Sequence, residues 1–319
     1  MAIPVSRRLD FSEIPVVDVA GLVAGNDDPK AIAELGRACT DVGFVYVKNH
    51  GVASRLVADM AAQAARFFAH PMDEKLTITV NPRMRGYLPL NYSSLVGEPG
   101  GGVSQQEGFW IGREAAADAA NALAGPNVWL ASEPGLEPAM LAYFDAVEKL
   151  GDVLLRGFAL ALGLKRDFFA RLFSAPQSRL KLNHYPPQAV ADDESDIGVV
   201  GHSDSGSFTI LWQDANGGLE VQSRNGDWVG APPIPDTFVI NLGNVMQIWT
   251  NGRFSSTPHR VINRSGTDRY SIPLFVNPNY DAPIAPLIGE ADAAAAPQFA
   301  GYQTDIWRKI FPVAYSGRS

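Results

Sequence analysis

The spacing of apolar residues changes character part-way along the chain. In the first half it follows the helical period. Ala31, Ile32, Leu35 and Ala38 lie on one face after Asp28-Pro29, and Gly43 supplies a stop. A second helix is predicted from Ser54, a plausible N-cap, to about Phe68, with Leu56, Met60 and Ala64 along its apolar side. A third, long helix opens with Pro138 in its first turn and runs to about Leu162, carrying Met140, Phe144, Val147, Leu154 and Phe158; Gly163 ends it. A short helix around Asp167 to Phe173 follows. Two strands interrupt this half, residues 14–18 and Phe44 to Val47. Residues 81–110 read as irregular, punctuated by Asn81-Pro82, Gly86 and the run Glu98 to Gly102. That glycine run neither follows a strand nor opens a helix, so it makes a poor phosphate loop.

From Leu180 onward the segments shorten and alternate. Leu219 to Gln222 and Trp228-Val229 flank Asn225-Gly226, a hairpin signal. Thr237 to Leu242, His259 to Asn263 and Tyr270 to Val276 read as further strands, and Asp305 to Ile310 as a last helix. Many short strands with Gly/Pro turns predict a mainly β fold with flanking α: a jelly-roll or cupin-like barrel with helices packed on one face. No internal repeat or linker is visible. The expectation is one domain over 1–319: a mostly helical flank (1–178), a jelly-roll core (179–285) and a C-terminal segment (286–319).

Composition narrows the function classes. The chain has 319 residues, 46% hydrophobic, enough for a large core. Net charge is −8, and without a Lys/Arg cluster this argues against nucleic acid or an anionic membrane as partner. Cys39 is the only cysteine, which rules out an internal disulfide and thiolate clusters and reads as a small buried apolar residue. Met1 to Asp10 carries Arg7 and Arg8 but no apolar stretch, and no run approaches a membrane span; the expectation is a soluble protein of the reducing cytoplasm. Oligomeric state is not set by the sequence.

The candidate chemistry starts at Gly201 to Leu211. His202 and Asp204 are two apart at the entrance to an apolar run, so on a strand they point to the same side. Pro258-His259-Arg260-Val261 offers a second imidazole. Two His and one carboxylate on one face of a metal leave the other face open, as in non-haem Fe(II) oxygenases. Further on, Arg269 and Ser271 lie two apart at the start of an apolar strand, and arginine suits a two-pronged grip on a carboxylate.

The order H-x-D, then His, then R-x-S resembles the isopenicillin N synthase-like branch of the Fe(II)/2-oxoglutarate dioxygenases. Ile14-Pro15-Val16-Val17-Asp18, Gly43 to Val52 (GFVYVKNHGV) and Asn183-His184-Tyr185-Pro186-Pro187 resemble family segments too, so the likeness covers nearly the whole chain. It implies Fe(II) held by His202, Asp204 and His259, which are then the catalytic centre, with 2-oxoglutarate and dioxygen at the open positions. It gives Arg269 and Ser271 the C5 carboxylate of 2-oxoglutarate, with Tyr185 reaching the same group and Asn183 nearer the metal. The implied reaction is oxidation, foremost hydroxylation, of a small-molecule metabolite with release of succinate and CO2. Family halogenases lack the carboxylate that Asp204 supplies, which points away from halogenation. His50, His70 and His184 read as structural.

Arg83-Met84-Arg85-Gly86-Tyr87 resembles a pocket-lining segment of relatives, making Arg85, with Tyr87 beside it, a candidate for gripping an acidic substrate group; the bland alternative is a solvated loop. Leu211, Trp249 and Phe275 are either pocket walls or core. Two competing readings stand beside the first: an oxidase of the same fold that uses no 2-oxoglutarate, as in the isopenicillin N synthase and ACC oxidase branches, and a non-catalytic barrel with a vestigial metal site. Asn183 and Tyr185 favour the first reading, and an intact ligand set counts against the last.

Overall fold

The computed structural model describes residues 12–90, 104–187, 198–289 and 296–315. The elements in chain order are β1 (Val16–Asp18), α1 (Ala20–Val23), α2 (Pro29–Asp41), β2 (Phe44–Lys48), α3 (Ser54–Ala69), α4 (Met72–Leu76), β3 (Gly86–Leu88), β4 (Glu107–Gly112) and α5 (Leu136–Ala161). There follow a 3-10 turn (Ala170–Phe173), β5 (Arg179–Tyr185), β6 (Val199–His202), β7 (Phe208–Gln213), β8 (Leu219–Gln222), β9 (Trp228–Gly230) and β10 (Thr237–Leu242). The chain continues through α6 (Asn244–Trp249), β11 (His259–Val261), β12 (Arg269–Val276), α7 (Phe299–Ile310) and α8 (Pro312–Tyr315).

The strands form two sheets. The larger has the order β1-β2-β10-β7-β12-β5-β4-β3 and the smaller β6-β11-β8-β9. This is the double-stranded β-helix arrangement, although no ladder joins the two sheets into a closed barrel among the described residues. Alternation along the strands decides what lies on each face. Leu180 and Leu182 of β5, Ile210 of β7, Ile240 of β10, and Ile272 and Leu274 of β12 point outward into one large apolar cluster with Met60 and Phe67 of α3 and Phe144, Leu154 and Phe158 of α5. The opposite faces turn into the space between the sheets, where Phe44, Tyr46, Tyr185 and Val239 meet Val199, Leu219, Val221 and Val261 of the smaller sheet. The inner face of the larger sheet is therefore free to carry polar residues wherever the smaller sheet does not cover it.

The helices start and stop largely where the local chemistry directs. The Asp28 carboxylate accepts from the amides of Lys30 and Ala31 (3.0 and 3.2 Å), with Pro29 at the first helical position. Ser54 does not cap α3. It is the first helical residue, and its hydroxyl donates to Asp236 across the fold at 3.2 Å. The region expected to be irregular contains β3 and β4, and β4 is an interior strand between β3 and β5. Its sequence, Glu-Gly-Phe-Trp-Ile-Gly, hides the strand because two of its inward positions are glycines. The Glu98 to Gly102 run lies outside the described residues. Short helix α6 was also unforeseen, and Trp249 at its end is core, fully buried against Phe169 and Phe173.

Candidate metal centre and adjoining cavity

Strand pairing places the two imidazoles side by side. His259 of β11 is the register partner of His202 of β6, and their ring centroids are 4.3 Å apart. Asp204 lies just past the end of β6, in a loop fixed by backbone bonds: the amides of Asn244 and Val245 donate to the carbonyls of Asp204 (2.8 Å) and Gly206 (3.0 Å). Gly243 permits this approach, since a Cβ there would sit 2.3 Å from the Gly206 carbonyl oxygen. Asp204 Oδ1 is then 3.7 Å from His202 Nε2 and 3.9 Å from His259 Nε2, a set of three donor atoms all within 4.8 Å of one another.

The surrounding bonds prepare these three atoms for a cation. Nδ1 of His202 donates to the Val200 carbonyl (2.9 Å) and Nδ1 of His259 to the Thr257 carbonyl (3.2 Å). Both bonds leave Nε2 as the lone-pair nitrogen facing the cluster. Oδ2 of Asp204 accepts from Thr209 Oγ1 (2.5 Å) and Asn241 Nδ2 (2.7 Å), which leaves Oδ1 for a metal. Burial works to raise the Asp204 carboxyl, but the two imidazoles and these two donors outweigh it and hold it below the ordinary carboxylate value. Burial lowers His259, with His202 beside it adding to the effect, so its imidazole stays neutral. Neutral imidazoles and an ionised carboxylate suit a borderline divalent metal such as Fe(II). The remaining histidines lie elsewhere: His70 meets Glu74 and Glu133, His184 meets Glu107 and Asp268, and His50 accepts from the Val52 amide.

A second polar group lies deeper between the sheets, where β5 and β12 pair. Arg269 is opposite Tyr185 and Ser271 is opposite Asn183. The Arg269 guanidinium lies over the Tyr185 ring (4.6 Å), and Asn183 Nδ2 donates to Ser271 Oγ (3.3 Å). Arg269 is 1% exposed, yet among the described residues it meets no carboxylate. Its Nε donates to the Gly217 carbonyl, its Nη2 to Gln213 Oε1 at 3.4 Å, and its Nη1 to nothing; Asn183 Oδ1 is also without a partner. A buried guanidinium with an idle N–H fits an incoming carboxylate such as that of 2-oxoglutarate.

A cavity of about 460 Å³ opens beside His202 and Asp204. His259, Asn183, Tyr185, Arg269 and Ser271 do not line it. Arg85 and Tyr87 do not line it either. Arg85 is turned inward, its guanidinium donating to the carbonyls of Arg83, Met84 and Arg113, and burial lowers it to about 10. The Tyr87 hydroxyl donates to Glu107, and burial pushes it up. Both side chains are buried, Arg85 just before β3 and Tyr87 within it, so the structure does not bring this pair to the cavity wall. Phe275 does form part of the wall, whereas Leu211 packs in the cluster between the sheets. Thr209, Asn241, Lys181 and Arg179 were missed. For the last two the signal was present, since Arg179, Lys181, Asn183 and Tyr185 share one strand face.

Comparison with known proteins agrees with this geometry. Residues 176–278 match the 2OG-Fe(II) oxygenase superfamily, and residues 14–132 match the family described as non-haem dioxygenase in morphine synthesis N-terminal. A homoarginine-6-hydroxylase of Glycine max is 33% identical over 299 residues, covering 87% of this chain and 89% of the relative. A 2-oxoglutarate-dependent dioxygenase, citB, of Monascus ruber is 35% identical over 300 residues, covering 89% and 90%. The crystal structure of a full-length Neurospora crassa protein in complex with alpha-KG and thymine superposes with a TM-score of 0.80 at 26% identity, covering 92% of this chain and 96% of that one.

Proposed function

The chain belongs to the 2OG-Fe(II) oxygenase superfamily and is a 2-oxoglutarate-dependent dioxygenase acting on a small molecule; from that premise we propose that His202, Asp204 and His259 hold its iron. The oxidase that dispenses with 2-oxoglutarate and the non-catalytic barrel give way to this reading. When bound, the iron and the co-substrate supply the oxygen activation, 2-oxoglutarate leaving as succinate and CO2. The chain's own residues position and protect. The Val200 and Thr257 carbonyls keep both Nε2 atoms aimed at the metal, and Thr209 with Asn241 keeps Oδ1 of Asp204 free for it. Arg269 and Ser271 take the C5 carboxylate, with Tyr185 beneath the guanidinium and Asn183 nearer the metal. The apolar shell of Val199, Val221 and Val261 excludes bulk water from that end.

The observation that carries the co-substrate assignment is the idle Nη1 of a buried Arg269 that has no carboxylate partner among the described residues. The relatives named above act on homoarginine or bind thymine, so the frame serves substrates of different chemistry. The test is succinate formation dependent on Fe(II) and substrate. In Arg269→Ala the apparent KM for 2-oxoglutarate is expected to rise much more than that for substrate. An unchanged co-substrate KM would remove Arg269 from this role.

A further inference from the structure

We infer that the substrate is a small organic acid with a flat apolar body, and that Lys181, backed by Arg179, anchors its carboxylate in the cavity beside Asp204. The inference rests on the proposed iron site only in taking this cavity as the side from which substrate meets the metal.

Lys181 lies on the inward face of β5, two residues before Asn183. It is 5% exposed and lines the cavity, and its ammonium makes no hydrogen bond or salt bridge with any described residue. The Trp110 ring lies beside it, 5.1 Å from Nζ to the centroid. The other buried lysine shows what a structural ammonium looks like in this protein. Lys75, 4% exposed, donates to the Phe68 carbonyl (3.0 Å) and to Glu107 (2.8 Å). A lysine taken out of water with a ring face but no anion or hydrogen-bond acceptor beside it is costly, and that cost is tolerated where a ligand supplies the acceptor. Burial lowers the Lys181 ammonium to about 7 while Asp204 opposes the shift; an anion placed beside it restores the charged form. Asp204 itself is committed elsewhere, one oxygen to Thr209 and Asn241 and the other to the metal position.

The strand beside Lys181 is shaped around it. A Cβ at Gly108 of β4 would lie 2.5 Å from Lys181 Cε, so glycine there leaves the groove in which the lysine stem lies. Arg179, one step further along the same face, is also buried and lines the cavity. Its terminal nitrogens donate to the carbonyls of Gln177, Ser178 and Leu123, its Nε has no partner, and its guanidinium lies 5.5 Å from the Trp307 ring centroid. Among the described residues neither cation meets a carboxylate within hydrogen-bonding reach, and Asp204 is the one acidic residue among those that line the cavity. A substrate presenting a cationic group would find amide oxygens, from Gln106 and Asn277, but no uncommitted carboxylate; a carboxylate finds a guanidinium and an ammonium. The apolar body has its own surface in Trp110 and Phe275, stacked at 5.5 Å, with Phe311 edge-on to Trp110 at 6.2 Å and Trp307 also in the wall.

The test uses protein loaded with Fe(II) and 2-oxoglutarate under argon. Matched ligands are titrated calorimetrically: aryl acetic and aryl propionic acids, their primary amides, and the corresponding amines. The expected result is that at least one acid binds ten-fold or more tightly than its amide, and that amines do not bind. In Lys181→Met that preference disappears, while Lys181→Arg retains it, and both variants keep wild-type iron content and 2-oxoglutarate affinity. The inference is overturned if no acid is preferred over its amide in the wild type, or if Lys181→Met keeps the preference. It is also overturned if Lys181→Met loses iron, which would make the lysine a support for Asp204. Failure of the wild type to bind 2-oxoglutarate at all would instead overturn the co-substrate assignment, so the two failures are distinct.

Discussion

Removing the donors behind Asp204 is the most direct trial of the metal centre. Thr209 and Asn241 are register partners on β7 and β10, so their side chains emerge together on the inner face and converge on a single oxygen, Oδ2. Asn241→Leu deletes one bond and keeps side-chain volume; Thr209→Val deletes the other. A hydrogen bond to an ionised group contributes about 1.5–3 kcal/mol. At about 1.4 kcal/mol per tenfold, that corresponds to roughly 10- to 100-fold weaker metal binding if the bond's role is to orient the ligand, the range found for outer partners of metal ligands. The assay is Fe(II) or Co(II) affinity of apo-protein under argon, by competition with a chelator, with thermal melting to verify the fold. Because both donors serve one oxygen, the double variant should depart from the sum of the singles. If either single variant folds and binds metal as tightly as the wild type, Oδ1 is not held for the ion by these bonds.

Other consequences follow from the same structure. Burial acts to raise Glu107, but hydrogen bonds from His184, Lys75 and Tyr87 outweigh it and hold the carboxyl below its ordinary value. Its stabilising effect is thus fully present above the ordinary carboxylate pKa and lost as pH falls through the lowered one. Glu107→Gln strips buried Lys75 of its counter-charge, a change that costs about 3–5 kcal/mol, and should flatten the acid limb of melting temperature against pH; an unaltered limb would show that the pair does not carry it. Gly243→Ala sets a Cβ 2.3 Å from the Gly206 carbonyl and 2.9 Å from that of Asp204, so it should lower both melting temperature and metal affinity, as read by scanning fluorimetry and chelator competition. Cys39 is buried, and burial pushes its thiol up, so iodoacetamide should leave it unmodified in native protein and alkylate it in urea, by intact mass.

What the sequence disclosed follows the distance over which each feature is determined. Helices α2, α3 and α5 have apolar stripes and local punctuation, and they lie within a residue or two of their predicted bounds. His202, Asp204, His259, Arg269 and Ser271 were legible because their spacing resembles a family, and the fold gathers them into two adjoining clusters. Strand β4 was illegible because its glycines answer to side chains distant in sequence, Gly108 to Lys181 and Gly112 to Arg85 and Arg179. The burial of Arg85 was equally hidden: nothing local reveals that its guanidinium is met by three carbonyls inside the protein. Thr209 and Asn241 are single polar residues in apolar strands, and only the pairing of β7 with β10 gives them a common target.

Strand β5 suggests how one frame accommodates changes of substrate. Its inward residues run in two-residue steps from Tyr185, beneath Arg269, through Asn183, bonded to Ser271, to Lys181 and Arg179 in the cavity wall. On the proposed co-substrate assignment, the first two face groups of 2-oxoglutarate, which does not vary. The last two face whatever the cavity holds. The outward residues Leu180 and Leu182 meanwhile bind the whole strand to the helical layer, so a change at an inward position does not disturb that packing. Alternation thus lets positions 179 and 181 change chemistry while 183 and 185 keep theirs, on a backbone held from the other side. Substitution at 181 should therefore alter which ligand is accepted and leave the grip on 2-oxoglutarate intact; coupled losses of both would mean that the strand acts as one unit and that this separation does not exist.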